Sequence, residues 1–86
     1  MTETTRIASA GNVFPGALEC LQRLGFIVSL SRNRQWQATS AECVLIADDP
    51  LALLGLAKFY ELRGNDWLPT DAEIEAYLAL DDDTVP

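Results

Sequence analysis

The chain has 86 residues, 49% of them apolar and 22% charged, which is enough for one small core and too little for two domains. Six basic residues against thirteen acidic ones leave a net charge of −7. That balance argues against nucleic acid or an anionic membrane as partner, because both need a basic face, and it makes a basic protein surface the electrostatic complement.

From the N-terminus, residues 1–5 are polar and read as a flexible end, and residues 6–10 alternate weakly, offering a candidate fourth strand. Asn12 reads as a helix N-cap, with Pro15 in the first turn, where its missing N–H costs nothing. Val13, Ala17, Cys20, Leu21 and Leu24 recur at helical spacing as one apolar stripe, and Glu19 and Arg23 sit four apart as an ion pair. Gly25 can adopt the left-handed conformation that ends a helix, with Phe26 folding back on Leu21.

Three strands are expected next. Residues 26–31 place Phe26, Val28 and Leu30 on one side and Ser29 and Ser31 on the other. Arg32-Asn33 makes the turn, with Asn33 tolerating positive φ. Residues 35–39 return antiparallel, residues 40–42 turn again, and residues 43–47 are apolar throughout, which predicts a strand covered on both faces or placed centrally.

Asp48-Asp49-Pro50 is a helix start: Asp49 is the N-cap, Pro50 is N1, and the carboxylates suit the positive end of the helix dipole. The helix is expected over residues 50–63, ending at Gly64. Leu53, Leu56, Ala57 and Tyr60 lie on one side of it, and Leu51, Phe59 and Leu62 on the other. A helix apolar on two sides touches two things. The sheet is one. The last helix, starting at the capping box Thr70-Asp71-Ala72-Glu73 and carrying Ile74, Tyr77 and Leu78, is expected to be the other. That arrangement predicts a monomer. Asp81-Asp82-Asp83 closes the helix, and residues 82–86 read as a flexible acidic tail.

The expected architecture is therefore a single α+β domain: a helix, a three-stranded antiparallel meander, then two helices packed on one face of the sheet. Cys20 and Cys43 lie in apolar runs and read as buried thiols of a reducing compartment. Met1 to Arg6 shows no apolar leader core, so a cytoplasmic protein is expected.

The chemistry is sparse. The chain contains no histidine, which removes the commonest general base and metal ligand. Two separated cysteines do not make a zinc site, and no glycine-rich phosphate loop or calcium loop occurs. Asp48 and Asp49 have an immediate use as helix caps. The expectation is a protein that is not an enzyme and carries no catalytic residue, metal or cofactor. Trp36 and Trp67 are the candidate anchors for a partner, since aromatic residues are enriched at binding hot spots. Against that, Trp36 suits the helix-covered face of the sheet, and Trp67 suits a plug between two helices. The acidic residues Asp48, Asp49, Glu61 and Asp66 mark the two ends of one helix and are expected to ring a patch containing Trp36 or Trp67.

Three stretches stand together: Gly11-Asn12-Val13-Phe14-Pro15, Trp36-Gln37-Ala38, and Asp49-Pro50-Leu51-Ala52-Leu53-Leu54-Gly55-Leu56 continuing to Tyr60-Glu61-Leu62-Arg63-Gly64-Asn65-Asp66-Trp67. Their order resembles a family of small uncharacterised bacterial proteins. The resemblance covers most of the chain and implies no catalytic residue. In size and charge the chain is similar to bacterial immunity proteins, which block a toxin by covering its active site. The leading expectation is a protein-binding module, an immunity or antitoxin protein for a basic toxin. The alternative is a self-associating structural protein, a homodimer through Leu51, Phe59 and Leu62.

Overall fold

The computed structural model of the chain describes residues 3–82. The order is a short 3-10 turn at Gly11–Val13, helix α1 (Phe14–Arg23), strands β1 (Ile27–Leu30), β2 (Trp36–Thr39) and β3 (Val44–Ala47), helix α2 (Pro50–Arg63) and helix α3 (Asp71–Asp82). The expected α+β class holds. Residues 3–10 form no strand, so the sheet has three strands among the described residues, and the candidate fourth is absent. The expected flexible ends, residues 1–5 and 82–86, lie partly outside the described residues, as does Asp83.

Helix α1 starts later than Asn12 suggests. The 3-10 turn takes up Asn12, the N-cap is Val13 without a side-chain bond, and Pro15 occupies the first turn. Proline has pre-set φ and lacks the N–H that would be orphaned there, so the start needs no polar cap. The far end is a Schellman motif. Phe26 N–H donates to Leu21 C=O at 3.0 Å, Gly25 N–H donates to Gln22 C=O at 3.0 Å, and Gly25 has φ +96°. Only Ala17 and Leu21 of the expected stripe are buried; Cys20 and Leu24 are exposed. The cysteine expectation fails accordingly, for Cys20 is a free exposed thiol and Cys43 is free and half-buried.

The sheet order is β1-β2-β3, both pairs antiparallel. The β1–β2 loop places Arg34, not Asn33, at positive φ (64°). Ser31 N–H donates to Gln35 C=O and Arg34 N–H to Ser31 C=O. This is a three-residue hairpin loop whose last residue is left-handed, a position set by strand twist rather than by residue preference. The second turn is held by Ser40, whose hydroxyl accepts from the N–H groups of Glu42 and Cys43, both at 3.2 Å. The all-apolar β3 is neither central nor covered on both faces. It is an edge strand: Leu45 and Ala47 pack on the core, while Val44 and Ile46 are exposed. The central strand is β2, whose Ala38 is fully buried because helices cross directly over it.

Asp49 caps α2 as expected, accepting Ala52 N–H on Oδ1 at 2.7 Å, with Pro50 in the first turn. Gly64 ends the helix at φ 57°. Helix α1 lies against β1 and α2, and α2 lies over β2 and β3. The core is Leu21, Ala38, Leu53 and Ala57, lined further by Phe26, Val28, Trp36, Leu45, Ala47 and Leu54.

The last helix does not do what the sequence predicts. Its described residues up to Asp81 are all exposed, and it makes almost no packing contact with the rest of the fold. Phe59 and Leu62 are therefore left uncovered, Leu62 at 71% exposure. One side chain sets where α3 begins. The Arg63 guanidinium grips Glu73 through both terminal nitrogens (2.8 and 3.2 Å), donates through Nε to Asp66 C=O and through a terminal nitrogen to Leu68 C=O, and stacks over the Phe59 ring. The planar fork spends its donors on the turn and the cap rather than on a helix–helix seam.

Candidate functional site

Helix α2 overhangs the free edge of β3, because it sits over that strand and extends past it towards the Gly64 turn. Between them lies a groove of about 320 Å³. One wall is residues 42–46. The other is Leu56, Phe59 and Tyr60 of α2, and Gly64, Asn65 and Trp67 close the end. A second hollow of about 600 Å³ lies under the Ser40 turn, between Leu24, Phe26 and the flank of α2, and shares Glu42, Tyr60 and Gly64 with the first. Tyr60 thus stands between the two.

The sequence-predicted partner residues fall into two groups rather than one ring. Asp48 and Asp49 are at the start of α2, beside the end of β3. Trp36 belongs there too, since it pairs with Ala47, but its side chain packs against the core. Glu61, Asp66 and Trp67 are at the other end, about 20 Å away along the helix axis. Of the two tryptophans, only Trp67 lines a groove, and at 52% exposure it does not plug a gap between helices. Phe59 enters the sequence reading only as part of a homodimer face with Leu51 and Leu62, Leu56 only as a sheet-facing residue, and residues 43–46 not as a site at all; the groove brings them together. The apolar run on β3 looks identical whether the strand is covered or lies at an edge, and only strand order tells them apart.

The charges follow the same division. Lys58 is engaged by Glu61 at 2.6 Å and Arg63 by Glu73. Glu42, Asp48 and Asp66 have no ion-pair partner among the described residues, so the groove surroundings are net acidic. Glu73 is held below the ordinary glutamate range, first by accepting the Thr70 N–H and then by the Arg63 guanidinium. No three His, Cys, Asp or Glu side chains among the described residues are grouped to hold a metal. No helix among them is long and apolar enough to cross a membrane.

The chain matches no protein-family model, no curated protein and no solved structure.

Proposed function

We propose that this protein is a non-enzymatic protein-binding module whose partner presents a basic surface. The observation that carries the reading is the run of large apolar side chains left exposed from the end of α2 through α3, a helix that almost nothing else in the fold contacts: Phe59 and Leu62 on α2, Trp67 and Leu68 in the turn, and Ile74, Tyr77, Leu78 and Leu80 on α3. Single exposed apolar residues are ordinary, but eight large ones within 22 residues, four of them on a helix without an apolar cover, favour an interaction surface. With each side chain offering on the order of 100 Å², the group supplies roughly 800 Å², one partner's share of a standard interface. Acidic residues flank it, which favours a basic partner and fast association. An immunity protein that occludes a basic toxin would use such a surface.

The test is capture of the binding partner from the source cells, followed by reconstitution from purified components. A basic protein whose association slows as salt rises, and whose activity is lost in the complex, supports the reading. An acidic partner bound equally well at high salt counts against it.

The second reading is a homodimer through Leu51, Phe59 and Leu62. The exposure of Leu62, and of the part of Phe59 that Arg63 leaves open, favours it, because α3 does not cover them. Sedimentation equilibrium separates the two: a tight dimer that Phe59→Asp converts to a folded monomer establishes self-association.

A further inference from the structure

We propose that the groove beside β3 takes up an extended peptide segment of the partner, carrying alternate apolar residues flanked by Lys or Arg, as a fourth strand of the sheet. The inference rests on the protein-binding reading above and deepens it by naming the mode.

The backbone comes first. Ser40 N–H donates to Cys43 C=O at 2.9 Å, which makes Ser40 and Cys43 a hydrogen-bonded pair. Hydrogen-bonded and open pairs alternate along an antiparallel ladder. With the register Thr39↔Val44, Ala38↔Leu45, Gln37↔Ile46 and Trp36↔Ala47, Leu45 and Ala47 bond to β2, while Val44 and Ile46 turn their N–H and C=O groups outward. The bond from Ser31 to Gln35 gives the complementary phase on the other side of β2, so the assignment is consistent across the sheet. The outward edge of β3 is thus a row of free donors and acceptors, which a chain in extended form satisfies.

The wall comes second. An ordinary sheet edge opens to water, but this one faces Leu56, Phe59 and Trp67 across the groove. A strand laid on the edge points every second side chain at those residues, so the pattern it needs is apolar at alternate positions.

Charge selects the occupant. Glu42 precedes β3, Asp48 follows it, and Asp66 lies next to Trp67, with Lys58 and Arg63 already engaged by Glu61 and Glu73. Lys or Arg at the ends of an added strand meets these carboxylates. A second copy of this chain does the opposite. Antiparallel pairing of β3 with itself brings the start of one strand to the end of the other, setting Glu42 against Asp48 twice, and like charges directly opposite are destabilising.

The experiment selects binders from a random linear-peptide library displayed on phage, using the whole chain as bait. The enriched peptide is then synthesised and followed by amide hydrogen exchange and chemical shifts. The expected result is enrichment of alternating apolar sequences with Lys or Arg at the ends. Binding then protects the Val44 and Ile46 amides and weakens at least tenfold when the peptide nitrogens facing β3 are methylated. Glu42→Lys is expected to weaken it several-fold at low salt and less at high salt. Basic peptides that leave Val44 and Ile46 unprotected while shifting α3 overturn strand addition and leave the protein-binding reading standing. Protection of Val44 and Ile46 without peptide, lost on dilution, overturns it in favour of a second copy. Failure to enrich any alternating apolar peptide overturns strand addition and leaves the protein-binding reading to its own test by capture and reconstitution.

Discussion

At the scale of single residues, the least comfortable backbone position is Arg34, with φ 64° and a Cβ that crowds the following carbonyl. Glycine relieves that contact at the expense of unfolded-state entropy. Arg34→Gly is therefore expected to stabilise the protein by about 1 kcal/mol in denaturant unfolding, the net of the two effects. A decrease would show that the Arg34 side chain contributes more than its backbone costs. Leu53 is the opposite case. It projects from α2 and is fully buried against α1 and the sheet, one of few large side chains that are. Leu53→Ala is expected to cost about 2–5 kcal/mol, enough to unfold a marginal domain of this size at ambient temperature. Thermal melting by circular dichroism reads this directly.

Among the elements, α3 is set by its own first turn rather than by packing. Thr70 Oγ1 accepts Glu73 N–H at 3.1 Å, Glu73 Oε1 accepts Thr70 N–H at 2.8 Å, and Arg63 holds the same carboxylate. Thr70→Ala is thus expected to shift the local helix–coil balance of α3 by about 1 kcal/mol while barely moving the global midpoint. Backbone chemical shifts of residues 71–82, compared with those of α2, check it. The same cap is acid-sensitive, and the sign follows from the Glu73 shift. A carboxylate whose pKa is lowered on folding contributes stability that is present in full above its ordinary pKa and lost as pH falls through the lowered value. Helicity of α3 should therefore decline on acidification through and below the usual glutamate range. A Glu73→Gln variant should begin with weaker helicity and lose this transition. Arg63→Lys should reproduce part of the loss at neutral pH, because an ammonium does not make the two-pronged contact.

For the whole molecule, the Cα radius of gyration is 15.6 Å, against about 12 Å for a compact chain of this length. The excess reflects the unpacked N-terminal segment and α3. Opening free energies should accordingly be graded. Amides of α3 should exchange through local opening, well before those around Leu21, Ala38 and Leu53, whose protection approaches the global value. Hydrogen exchange on the isolated protein measures this. If α3 amides are as protected as those of the core, something outside the chain covers the helix. That result would move the case from a partner of different sequence towards self-association.

Local chemistry decided much of this fold before any long-range contact. Proline and aspartate at the start of α2, glycines at the ends of α1 and α2, the Thr70–Glu73 cap and the alternation of β1 and β2 each act within a few residues, so they are legible in order along the chain. Tertiary structure decided the rest. The apolar run on β3 reads the same whether covered or open, and strand order alone made it an edge with Val44 and Ile46 facing outward. The second apolar side of α2 shows that a cover is needed without saying which. In the folded chain Arg63 holds the turn and the α3 cap, and α3 leaves that side open. The groove exists only because a helix placed from one part of the chain overhangs a strand edge placed from another, and no sequence period encodes the distance between them.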